Sequence, residues 1–270
     1  MKLQTTRNLI SVLAMVCLAV ASTFAQEHGK DHAHGKKHTA AHWAHFLKGA
    51  PASFNGMSLD GWRGYKQEEV KGWVAVDDTL HRSDKGGDIM TSKVYKDFVM
   101  STEWKVAKGG NSGIMYRVRQ GDGAPYMSGV EYQVLDNDGH SDGKSDLTSA
   151  GAIYALYPTD QAVCKPAGEW NKTMIVVIGN HVEHWLNDKL VAETEMWGDD
   201  WNKRFKESKF ASWTMFGKSS EGHIALQDHG DKVWYRNIVI KPVTEEDTKK
   251  WSEMHGDEHG EHGKNSKHDE

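Results

Sequence analysis

The feature that most constrains this chain is a strict two-residue alternation over 98–106. Phe98, Met100, Thr102, Trp104 and Val106 alternate there with Val99, Ser101, Glu103 and Lys105. That period puts one set on a single face of an extended strand, and no helix can gather it. Ile114, Tyr116 and Val118 alternate likewise with Met115, Arg117 and Arg119. Further strands are expected at 73–76, 79–82, 130–135, 152–156, 173–179, 181–186, 189–194, 222–227 and 233–241. Runs of Gly, Asn and Asp separate them, and Asn187-Asp188 predicts a two-residue hairpin turn. No long helical period appears within 51–195. The pattern predicts an all-β domain, a two-sheet jelly-roll sandwich. Segment 196–213, polar and aromatic, reads as a loop with a helical turn.

The rest of the 270 residues trims that domain from both ends. Lys2 and Arg7, a largely apolar run over 9–20 and small residues before Gln26 read as a signal peptide, 1–25. The mature protein is therefore expected in the periplasm or secreted. With Cys17 removed, Cys164 is the one remaining cysteine, so no internal disulfide is expected. Ten of the 16 histidines fall in 28–45 and 255–268. Segments 26–50 and 244–270 read as a His-rich flexible segment and a charged His-rich tail, either soluble flanks or weak metal binders. Within the first, 39–48 is expected to form a short helix with Trp43, Phe46 and Leu47 on one face. The sandwich is assigned to 51–243. Net charge of −5 offers nucleic acid no basic footprint, and the mature chain has no apolar run long enough for a membrane span.

Three strands carry polar groups where a sandwich could leave them wet. Arg117 opposes the Ile114/Tyr116/Val118 face; Glu131 and Gln133 share a face, as do His223, Ala225 and Gln227. These residues either line a sugar-binding groove or form a cross-strand pair, Arg117 with Glu131, on an ordinary wet face. Asp136-Asn137-Asp138-Gly139-His140 and Asp228-His229-Gly230 follow directly after two of these strands. The first fails as an EF-hand, having Ser141 where Gly is needed. Asp and His there either hold a divalent ion or simply make turns.

Six stretches carry a resemblance: FNGMSLDGW (54–62), GDIMTSKVYKDFVMSTEWKVAKGGNSGIMYRV (87–118), GVEYQVLDN (129–137), SAGAIYALY (149–157), GEWNKTMIVVIGNHVEHWLND (168–188) and GHIALQDHGDKVWYRNIVIKP (222–242). Together they resemble the 3-keto-disaccharide hydrolase family. That resemblance implies a concanavalin A-like lectin/glucanase fold and a glycoside or disaccharide substrate already oxidised to a ketone at C3. A separate C3 sugar dehydrogenase would supply it. The ketone acidifies the C2 proton, so a base, an enolate stabiliser and an acid for the leaving oxygen are needed. His184, His229, Asp136 and Glu131 are the candidate acids and bases. Arg117, or a bound divalent metal ion, is the candidate enolate stabiliser. Gln133, Tyr154, Trp197, Gln227 and Asp228 are candidate substrate-binding residues. Two-carboxylate hydrolysis is the competing mechanism, and Gln133 stands where laminarinase-like relatives of the fold would have an acid. A non-catalytic carbohydrate-binding module of the same fold is the alternative function.

Overall fold

Twelve strands follow one another in the computed structural model, which describes residues 38–255 apart from 122. They are β1 (Trp62–Gly64), β2 (Trp73–Val76), β3 (Thr79–Arg82), β4 (Ile89–Thr91), β5 (Phe98–Val106) and β6 (Asn111–Val118). Then come β7 (Val130–Leu135), β8 (Asn171–Ile178), β9 (His181–Leu186), β10 (Lys189–Glu195), β11 (His223–Leu226) and β12 (Val233–Pro242). Three helices flank them: α1 (Ala40–Leu47), α2 (Asp199–Glu207) and α3 (Glu245–His255). The expected leader at 1–25 and the His-rich stretches before 38 and after 255 lie outside the described residues. No helix among the described residues is long and apolar enough to cross a membrane.

The strands form two antiparallel sheets, the expected jelly-roll sandwich. One has five strands in the order β1-β4-β11-β6-β7; the other has seven, β10-β9-β8-β5-β12-β3-β2. Phe98, Met100, Trp104, Ile114, Tyr132 and Tyr235 fill the space between the sheets and are fully buried. A polar chain crosses that core: Trp104 Nε1 donates to Thr173 Oγ1 at 2.8 Å, and Thr173 Oγ1 donates to the Tyr132 hydroxyl at 2.7 Å. Each side chain of this polar chain thus finds a partner, which offsets its desolvation cost. The β9–β10 hairpin turns at Asn187 and Asp188, both left-handed (φ 49° and 66°), as a two-residue turn requires.

Two expectations change. Segment 152–156 is no strand; Gly151 (φ 90°) and Ala155 (φ 57°) bend it into turns that touch β7 through one bridge, Ile153 to Tyr132. The flexible flank also ends sooner than residue 50. Trp43 on α1 is 2% exposed and packs with Val99, Met174, Val176, Ile178 and Trp185 on the outer face of the seven-stranded sheet. One apolar helix face is enough to fix it there.

Candidate active site

The two central strands β6 and β7 are buried on both faces. One face meets the core. The other is the floor of a cleft, covered by the loops around 140–154 and 196–216, with a cavity of about 280 Å³. Pairing of Gly113 with Gln133 and of Met115 with Glu131 sets the floor's register. Gly113 is there for a reason: a β-carbon on it would lie 2.1 Å from Glu131 Oε1. The carboxyl group lies across that glycine.

Three residues of this cleft each bury an amide oxygen that has no hydrogen-bond partner. Asn111 Oδ1, Gln133 Oε1 and Gln227 Oε1 are all buried, and all three residues line the cavity. A buried acceptor left unmet costs about 1–3 kcal/mol. Burial pushes the Glu131 carboxyl up to about 8; Lys209 opposes the rise, while Asp88 and Asp142 add to it. Tyr154 donates its hydroxyl to Asp142 Oδ2 at 3.1 Å, and Lys209 Nζ sits 4.1 Å over the Tyr154 ring. Burial also raises the Tyr154 hydroxyl, which stays protonated. His229, at the rim, holds Nδ1 3.6 Å from Asp231 Oδ2 and meets His140 edge-on at 5.9 Å. Tyr126, Phe210, Trp213 and Phe216 make the facing wall. A polar floor under an aromatic wall fits a ring with hydroxyls on its edge and C–H bonds on its faces.

This chain belongs to the 3-keto-alpha-glucoside-1,2-lyase-like domain family. That family's pattern matches residues 49–241. A 3-keto-disaccharide hydrolase of Bacteroides thetaiotaomicron is 37% identical over 221 residues, 70% of this chain and 76% of the relative. A Parabacteroides distasonis structure, provisionally described as a glycosyl hydrolase, is 33% identical with a TM-score of 0.66. It matches over 71% of this chain and 92% of its own. A second from the same organism, similarly described, is 26% identical with a TM-score of 0.57, over 71% and 98% of the two chains.

Within this lyase-like domain the sequence-derived candidates divide. Glu131, Gln133, Tyr154, Gln227 and His229 line the one cleft. Five others do not, and each has a physical reason. Arg117 adopts φ 56° at a bulge between β6 and β11, which reverses the alternation and turns its side chain into the protein. There it donates to the Gly179 carbonyl and Met196 Sδ, with its guanidinium 5.1 Å over Trp197. The alternative of an Arg117–Glu131 pair therefore does not hold, and Met115 stands opposite Glu131. Trp197 is held in the same nest, donating Nε1 to the Gly217 carbonyl at 2.6 Å.

His184 lies on the core face of β9, fully buried. Its Nδ1–H donates to the Gly151 carbonyl at 3.1 Å, and Nε2 accepts from the Tyr116 hydroxyl at 3.2 Å. Burial lowers its pKa to about 3, so it is a neutral core residue. Asp136 Oδ2 accepts from Gly109 N at 2.6 Å and clasps the turn before β6. Asp228 accepts from Gly86 N, Gly87 N, Gly230 N and Arg82, and so is spent on local structure.

Asn111, Asp142 and Lys209 are floor and rim residues that period-two reading did not single out. Asn111 opens β6, where alternation has only begun. Lys209 and Trp213 follow α2 within the polar, aromatic excursion, whose composition was its one visible signal. Cys164 is a free thiol that burial pushes up to about 12, which leaves it a poor nucleophile.

Proposed function

We propose that this protein is an exported carbohydrate-active enzyme that cleaves glycosides and disaccharides already oxidised at C3. The observation that carries this reading is the joint occupancy of one cleft. A largely protonated Glu131, an ammonium at Lys209, an imidazole at His229 and three unmet amide acceptors share it. A carboxyl raised this far by burial among charged neighbours is a mark of acid–base sites, which sets an enzyme above a passive sugar-binding module. The related 3-keto-disaccharide hydrolase points the same way.

The chemistry follows the ketone. His229 takes the C2 proton, and the C–H electron pair becomes the C2=C3 enolate. Lys209 faces the developing charge on the C3 oxygen and stabilises it. The enolate then collapses: C3=O reforms, C1=C2 forms and the C1–O bond breaks. Glu131 gives its proton to the departing oxygen. Water adds across C1=C2, hydroxyl to C1 and proton to C2, for net hydrolysis. The floor amides accept from ring hydroxyls.

Two-carboxylate hydrolysis retains one supporting observation, since Asp142 lines the cleft together with Glu131. Deuterium at C2 of a 3-keto-glucoside separates the two routes. Elimination gives a primary isotope effect on kcat/KM; direct hydrolysis gives a value near one. The reading as a whole is tested by incubating the full-length protein with a 3-keto-glucoside and with its unoxidised parent. Release of the leaving alcohol from the ketone alone supports it. No release from either, with or without added divalent metal, overturns it.

A further inference from the structure

A second set of chemistry-bearing side chains lies on the other sheet, at the β9–β10 edge. Glu183 stands directly opposite Glu193 in the register, and His181 directly opposite Glu195. Two carboxylates facing each other across a strand pair are destabilising unless a cation sits between them. His181 Nε2 is 3.1 Å from Glu183 Oε1 and 3.7 Å from Glu193 Oε1. The three ligand atoms lie within 4.8 Å of one another.

The His181–Glu193 separation is close to that of two ligands on one metal, and the His181–Glu183 contact is a hydrogen bond that a metal would replace. Two donors held at about 2.0–2.2 Å from a tetrahedral Zn²⁺ lie about 3.3–3.6 Å apart. The surroundings match as well. His181 Nδ1–H donates to Glu195 Oε1 at 2.6 Å, the carboxylate–imidazole pairing that orients a metal-binding histidine. Glu183 Oε2 accepts from two indoles, Trp43 Nε1 and Trp185 Nε1, at 2.7 Å each. Its other oxygen is thereby aimed at His181. Trp43 also carries His38 and His42 against it, with ring centroids at 4.5 and 5.0 Å. The His-rich flank thus enters the domain beside this cluster, a sequence feature that glycoside cleavage leaves unused.

We infer that His181, Glu183 and Glu193 form a binding site for one divalent first-row transition ion, with Zn²⁺ the best fit. One imidazole nitrogen and two carboxylate oxygens leave a position for water or for an imidazole of the flank. Hard cations such as Ca²⁺ prefer an all-oxygen set and are disfavoured. The site lies on the outer face of the seven-stranded sheet, away from the cleft floor on the five-stranded one, and does not depend on the reading of the cleft.

The test titrates Zn²⁺, and in parallel Ca²⁺, into the full-length protein and follows binding by calorimetry. Histidine-rich flanks also take up zinc, so the readout is the difference from Glu193→Gln, which leaves the flanks intact. Glu193 is about two-fifths exposed, and the substitution is nearly isosteric. The wild type is expected to bind one more tight equivalent of Zn²⁺ than Glu193→Gln, and Glu195→Gln to bind it about 10–100-fold more weakly. Added Zn²⁺ should also raise the wild type's unfolding temperature more than that of Glu193→Gln. Superimposable zinc isotherms for wild type and Glu193→Gln, or Ca²⁺ bound as tightly as Zn²⁺, would overturn the site.

Discussion

At Gly113 a strand gives up its side chain so that a carboxyl group can lie over its backbone, 2.1 Å from where a β-carbon would be. Alanine there leaves ordinary strand geometry but forces Glu131 aside. A displacement of about 1 Å at a catalytic group costs on the order of 100-fold, so Gly113→Ala should lower kcat/KM by that much with the fold intact. Glu131 makes a second, thermodynamic statement. Its carboxyl keeps its proton to about 8 in the fold, against 4.5 when unfolded. The native state therefore holds more protons between those values, and stability falls as pH rises through the window. Glu131→Gln should remove that fall: urea midpoints at pH 5 and pH 9 should converge relative to the wild type. Parallel curves for the two proteins would contradict it. At this scale the sequence was legible wherever alternation ran undisturbed, as at Glu131, Gln133 and Gln227. It was not legible at Arg117, because a single left-handed residue at a bulge reverses the face of everything it carries.

Elements explain why the remaining candidates sit elsewhere. β9 presents Val182, His184 and Leu186 to the core, so His184 is an apolar position filled by an imidazole with both nitrogens satisfied. Its folded pKa of about 3 lies below the ordinary 6.5. The stability it lends is complete above 6.5 and is lost as pH falls toward 3. Replacing it with Gln should flatten the acid limb of a stability–pH curve; an unchanged limb would contradict the placement. α1 was readable from the spacing of Trp43, Phe46 and Leu47, yet its docking was not, since nothing local shows which surface awaits it. Trp43→Ala should cost about 3–5 kcal/mol of unfolding free energy, with kcat/KM unchanged. The excursion after β10 was opaque for the opposite reason. Lys209 and Trp213 are placed by packing against the cleft, and a loop has no period to reveal that.

Across the molecule, the sandwich separates its work between two outer faces. The five-stranded sheet turns its outer face into a cleft lined by Asn111, Glu131, Gln133 and Gln227. The seven-stranded sheet carries α1 and the His181 cluster. Export and delivery of the substrate complete the proposal, with a separate sugar dehydrogenase as the proposed source of the ketone at C3. The whole reading turns on which surface does the chemistry. The most direct measurement compares leaving-alcohol release from a 3-keto-glucoside by Glu131→Gln and by His184→Gln, at matched folded concentrations. The expected result is a loss of about 10³-fold for Glu131→Gln, with His184→Gln within tenfold of the wild type. Full activity in Glu131→Gln, or its loss in a folded His184→Gln, would place the reaction somewhere other than this cleft.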